Sequence, residues 1–301
     1  MHRIDYEQIV EPLTYKDKVP EYLRQILDKN EIAKLENRSR VMIELPNRLT
    51  MLEFMRERKK DRYKSGSSLS SNKKDSWNGT YTYEDYLDII EGKADREVKK
   101  LADKFEIEFA KKDSNLYQNY TYDTEGYFFD VGKVITGEPE AYLKPVNPLK
   151  EQYATVLINV TAHAGIEADL MSANLVKILT VVKKLELHGI KTKLVQITSG
   201  RGIRSKADDT NSHTIFTLLK DYSQPFDWVK LYAMLHPAFL RRFVFKVQEV
   251  IGHNPSGYGM PEKITNKSIR IDRAGLEEKN ILEKIMKLNK HVDYDIIKTS
   301  N

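Results

Sequence analysis

The rhythm of apolar and polar positions changes near residue 153. From there the chain reads Ala154-Thr155-Val156-Leu157-Ile158-Asn159-Val160, a short β-rich apolar run of the kind that is buried on both faces of a sheet. Met171, Leu175, Ile178, Val182 and Leu185 then recur at 4-3-4-3 spacing on one face of a long helix. Lys183, Lys184 and His188 suit its negative end, and Gly189 suits the position just beyond it. Lys191 to Thr198 follows as a second strand, and a strand, helix and strand in this span predict a right-handed βαβ crossover with parallel pairing. Further strands are expected at His213 to Leu219 and Ser268 to Asp272, with helices at Asp227 to Leu235, Pro237 to Val250 and Leu276 to Leu288, and a last strand near Val292 to Ile297. This alternation predicts an α/β fold over 151–301: a mainly parallel, Rossmann-like sheet with helices on both faces.

Upstream the pattern is mostly helical. Pro20 stands where a first-turn proline belongs, and Tyr22, Leu23, Ile26 and Leu27 recur at helical spacing. A second helix begins at Asn47 and runs through Met55 into six cations within nine residues: Arg56, Arg58, Lys59, Lys60, Arg62 and Lys64. Serine and glycine then dominate, so 1–64 reads as a helical N-terminal region and 65–75 as a flexible linker. The segment 76–150 reads as mixed. It opens on an aromatic cluster (Trp77, Tyr81, Tyr83, Tyr86) assigned to the core, and Thr82 is an N-cap with Asp85 three residues on. Residues 96 to 112 look helical, 113 to 150 irregular, and Asp130 to Glu140 reads as a compact turn rather than a regular element.

Composition narrows the chemistry. The 301 residues contain no cysteine, which excludes disulfides, thiolate nucleophiles and thiolate metal sites. The first ten residues carry Asp5 and Glu7 and no apolar stretch, so no secretory signal or membrane association is expected. The net charge of +5 permits anionic partners without demanding them.

Three places carry candidate chemistry. The first is the loop after the first apolar strand, Asn159-Val160-Thr161-Ala162-His163-Ala164-Gly165, because ligands of open parallel sheets bind beyond the carboxyl ends of strands. The second follows the next strand, where Arg201, Arg204 and Lys206 form either an anion clamp or a solvated turn neutralised by Asp208 and Asp209. The third is the run Arg56, Arg58, Lys59, Lys60, Arg62 and Lys64, either a solvated face or a nucleic-acid surface to which Lys73, Lys74, Arg241 and Arg242 would add. The seven histidines form no ligand-spaced motif, no serine stands in a nucleophile elbow, and no cofactor is expected.

The first of these loops resembles the start of von Willebrand factor A domains, where a strand is followed by D-x-S-x-S, a long helix and a strand. Here the pattern is N-x-T-x-H: Asn159, Thr161 and His163 stand at the motif positions, so the resemblance implies that topology with a degenerate magnesium site. A second resemblance rests on W-x-G-T (Trp77, Gly79, Thr80), then Asp130-Val131 with Gly137 and Pro139, then the apolar strand and the helix ending Leu185-Glu186-Leu187-His188-Gly189. These are similar to a family of uncharacterised tailed-bacteriophage proteins, which implies a place in the virion or the host cytoplasm. The expected function is a non-enzymatic phage protein that binds another macromolecule, a protein of phage or host. The alternatives are a nucleic-acid-binding or nucleic-acid-processing protein using the basic patches, and a metal-dependent adhesion domain.

Overall fold

The computed structural model describes residues 12–60, 67–69, 76–93, 120–125, 128–129, 131–145, 152–187, 189–201, 212–250, 260–261 and 265–292. The chain forms two units, Met1–Val98 with Tyr153–Asn301, and Lys99–Gln152. The expected helix at 96–112 lies outside the described residues, as does the expected last strand beyond Val292.

The larger unit opens with β1 (Thr14–Tyr15), the single turn α1 (Glu21–Arg24), α2 (Lys29–Arg38), β2 (Ser39–Glu44) and α3 (Arg48–Glu57). The helix expected over 22–27 stops early because Asp28 starts a new one. Its carboxylate accepts from the Glu31 N–H at 2.9 Å while the Glu31 carboxylate accepts from the Asp28 N–H at 3.0 Å, a reciprocal capping box. The Asn47 side chain caps α3 through the N–H groups of Leu49 and Thr50. α4 (Tyr83–Glu91) starts from the expected Thr82, with Asp85 completing the box despite being one methylene shorter than glutamate. In the smaller unit, β3 (Tyr120–Asp123), β4 (Phe128–Phe129) and β5 (Tyr142–Pro145) form an antiparallel sheet ordered β3-β5-β4. The stretch read as a turn over 130–140 contains α5 (Val131–Thr136), closed by Gly137 at φ +75°.

β6 (Gln152–Asn159), α6 (Ala168–Leu187) and β7 (Ile190–Arg201) take the places the sequence assigns them, and β8 (Ser212–Lys220) follows. Next come α7 (Trp228–Leu235), a π-helical segment Phe239–Val244 that continues as α8 (Phe245–Val250), then β9 (Met260–Pro261), β10 (Ile269–Arg270) and α9 (Glu278–Leu288). The sheet runs β1-β2-β8-β7-β6-β10, with β9 also on β7.

The α/β class holds, but the sheet is mixed rather than mainly parallel. β2 is parallel to β8 and β6 to β10, whereas β8 runs antiparallel to β7 along a ladder from Leu194/Lys220 to Arg201/Ser212. Only the ten residues 202–211 join β7 to β8, too short a path for the helical crossover that parallel pairing needs. The upstream region is also not wholly helical, since β2 contributes a strand between β1 and β8. One sheet face carries Val195, Ile197, Phe216 and Met42 against Val19, Leu23, Ile26, Leu27 and Leu35 from the α1–α2 segment. The other carries Gln196, Thr217 and His213 toward α7 and α8. Among the described residues no helix is long and apolar enough to cross a membrane.

Candidate functional site

At the exit of β6 the chain turns through its own polar groups. Asn159 is buried and its Oδ1 accepts from the Thr161 N–H at 2.9 Å. Buried Thr161 in turn accepts on Oγ1 from the Ser199 N–H of β7 at 3.0 Å. A hydroxyl chain then crosses the sheet: Thr214 Oγ1 donates to Ser199 Oγ at 3.3 Å, and the Thr214 and Ser39 hydroxyl oxygens lie 2.8 Å apart. His163 is exposed, and its Nδ1 accepts from the Gly165 N–H at 3.2 Å. Asn159 and Thr161 therefore spend oxygen acceptors on backbone donors, and His163 turns to its own loop. What these three positions build is a closed turn. Among the described residues no three His, Asp or Glu side chains gather as metal ligands.

The same loop is held from outside by Arg241 on the π-helical segment, and its neighbour Arg242 holds the segments at 68 and 80. Arg241 donates from Nη1 to the Trp77 carbonyl and from Nη2 to the Ile166 carbonyl, and its guanidinium lies 4.1 Å from the Trp77 ring centroid. Trp77 Nε1 donates to the Ala164 carbonyl at 2.6 Å. Arg242 donates from Nε to Thr80 Oγ1 and from Nη2 to the Thr80 carbonyl, both at 2.6 Å, and from Nη1 to the Ser68 carbonyl at 3.0 Å. Glu249 then takes the Ser68 N–H at 3.2 Å and its hydroxyl at 2.7 Å, with Lys246 Nζ 3.6 Å from the carboxylate. All four charged side chains are buried. Burial pulls the Arg242 guanidinium down to about 10, so it stays charged at neutral pH. A planar fork of donors suits the task of joining carbonyls from separate segments, which a lysine cannot do. The two arginines, counted with the basic run in a nucleic-acid surface, are instead interior staples that join 68, 77–80 and 166 to one helix. Ser68 falls in the Ser/Gly stretch 65–75, whose described part is a short 3-10 turn at Ser67–Leu69. Of the aromatic cluster, Tyr83 and Tyr86 are buried, Trp77 is half-buried and Tyr81 is exposed.

The basic run is partly neutralised where it is described. Arg56 pairs with Glu91 and Lys59 with Glu84, and the Lys59 bond holds the Glu84 carboxyl below its ordinary range. Arg58 and Lys60 belong to the 3-10 turn that ends α3. Arg62, Lys64, Lys73, Lys74, Arg204 and Lys206 lie outside the described residues. Arg201 closes β7, its backbone in register with Ser212 and Met260.

Sequence reasoning passed over the opposite end of the sheet, where β6 and β7 begin and β8 ends. Tyr153 and Tyr222 meet edge to face at 5.1 Å, and Phe226 and Trp228 are also 5.1 Å apart. Lysines stand over these rings: Lys193 over Tyr222 at 4.6 Å, Lys191 over Tyr153 at 5.8 Å, and Lys183 over Phe226 at 5.5 Å. Lys193 pairs with Asp221 at 3.1 Å and buried Lys220 with Glu186 at 2.6 Å. The signal was present in the alternation Lys191, Lys193 and Lys220, Tyr222, Phe226, Trp228, but the two stretches adjoin only once β7 and β8 pair.

The family model described as Domain of unknown function (DUF7192) matches residues 20–292. No curated protein and no solved structure matches the chain.

Proposed function

The chain belongs to that family, whose description carries no activity over, and we propose from the geometry that it is a non-enzymatic binding protein that engages another protein. The supporting observation is where its apolar side chains meet water. Among the described residues seven large hydrophobic side chains are exposed, and four of them, Tyr122, Val134, Ile135 and Tyr142, belong to the small unit Lys99–Gln152. Ile135 is 78% and Val134 47% exposed on one short helix. Exposed apolar side chains gathered in one small unit are the ordinary mark of a protein contact. On this reading the larger unit is a scaffold similar to a von Willebrand A domain, its β6-α6-β7 order and turn at Asn159, Thr161 and His163 standing where that fold has a metal loop. The setting in a phage assembly or against a host factor rests on the motif resemblance alone.

The test is co-purification from infected and uninfected cells at low and high salt. A partner held by the native chain at both salt levels, and lost from the double variant Val134→Asp, Ile135→Asp, is the expected result. Retention of the same partner by the double variant would overturn the assignment of the surface. Binding that vanishes with salt would favour a charge-driven partner instead.

A further inference from the structure

We propose that the lysine and aromatic strip at the start of β6 and β7 and the exit of β8 docks a single-stranded nucleic acid. Single strands without sequence preference are held by two chemistries together, cations that follow the phosphates and aromatic faces on which bases stack. The strip carries both in alternation. Trp228 and Phe226 lead to Lys183, and Tyr222 and Tyr153 lead to Lys193 and Lys191. Its charge suits a polyanion: Lys183, Lys191 and Lys193 all stand over its rings, and of these Lys193 also pairs with Asp221.

The strip is rigid beneath and adjustable above. The Tyr222 hydroxyl and Thr155 Oγ1 lie 2.7 Å apart, and Lys220 is buried with its ammonium donating to the Thr192 carbonyl at 2.9 Å. Tyr153, by contrast, is 37% exposed. A base that stacks on Tyr153 displaces the Lys191 ammonium from above the ring, and the freed cation is then beside the phosphate of the same nucleotide. An acidic protein would use the lysines but would gain nothing from the ring faces, which is why the alternation favours a nucleic acid.

The test measures anisotropy of labelled oligo-dT and oligo-U of about 12 nucleotides binding to the full chain over a range of salt. Binding of either oligonucleotide that weakens with salt is expected. Tyr153→Ala should weaken it about tenfold with an unchanged salt slope, the size of one lost stacking contact. Lys191→Ala should reduce the slope by about 0.7, the share of one phosphate contact on a single strand. Should Tyr153→Ala fail to fold, Tyr153→Leu keeps the apolar bulk without the π-face and should weaken binding to the same degree, whereas Tyr153→Phe should bind as the native chain does. The double variant Arg56→Ala, Lys60→Ala serves as the control and should bind within about twofold of native, because those residues form no part of the strip. The proposal falls if neither oligonucleotide binds at low salt, if Tyr153→Ala and Tyr153→Leu bind like native, or if the control alone abolishes binding. It falls equally if inorganic polyphosphate competes as well as oligo-dT, since charge would then suffice.

Discussion

Arg242 lies in the interior with each of its three donor nitrogens bonded to protein oxygen, two of them backbone carbonyls. Replacing it by Met leaves the Ser68 and Thr80 carbonyls buried without donors, a loss of about 3 to 5 kcal/mol in urea unfolding. Arg242→Lys should recover only a minor part, because one ammonium cannot span the fork. His236 gives a different readout. Burial first, and the nearby Arg242 charge second, press its pKa down to about 3 from an ordinary 6.5. Its Nδ1 accepts from the Ala238 N–H at 3.1 Å, which requires the neutral ring. Between those two pH values the unfolded chain binds a proton that the folded chain refuses. Stability contributed by neutral His236 is therefore complete above pH 6.5 and falls as pH drops toward 3, by up to about 1.4 kcal/mol per pH unit. His236→Asn should flatten that part of the pH–stability curve in chemical denaturation. Neither role was legible in the sequence, because adjacent arginines among hydrophobic residues read equally well as surface cations, and burial alone distinguishes the two.

The connection from Trp77 to Thr80 behaves as one element. Gly79 has φ +80°, and a Cβ there would sit 2.9 Å from the Ala238 nitrogen and from Pro237 Cβ. Gly275 also has positive φ but faces open space. Gly275→Ala should therefore cost about 1 kcal/mol, the backbone strain alone, and Gly79→Ala about 2 to 4 kcal/mol, since backbone must also move. Paired thermal melts would separate the two costs, and equal losses would sink the packing argument. The W-x-G-T pattern thus has a physical reading: tryptophan for Arg241, glycine for close approach to 236–238, threonine for Arg242. Elements defined by local chemistry were legible, notably the Thr82 cap, the apolar run of β6 and the amphipathic α6. β2 was not. Its six residues, Ser-Arg-Val-Met-Ile-Glu, are too few and too polar at the ends to stand out, and they become a strand by pairing with residues far along the chain. The direction of β8 also escaped, since strand patterning carries no information on whether the next connection is a crossover or a return.

Across the whole molecule, the large unit is assembled from both ends of the chain, with the small unit inserted between them in sequence. β2 lies between β1 and β8, and its register with β8 runs from Val41/His213 to Glu44/Phe216. A chain ending at residue 211 should leave the amides of 41–44 open to hydrogen exchange, whereas in the full chain they should be among the protected ones. Protection in the shortened chain would mean that the N-terminal segment folds without β8. The lysine and aromatic strip was illegible for the same long-range reason, as it joins residues from β6, β7 and the end of β8.

That parallel pairing has a consequence for biosynthesis. A ribosome making roughly 5 to 20 residues per second needs about nine to thirty-five seconds between releasing β2 and releasing β8. Throughout that interval Val41, Met42 and Ile43, all buried in the finished protein, have no neighbouring strand downstream to receive them. The nascent N-terminal segment therefore carries these apolar side chains without their partner strand until the last third of the chain arrives.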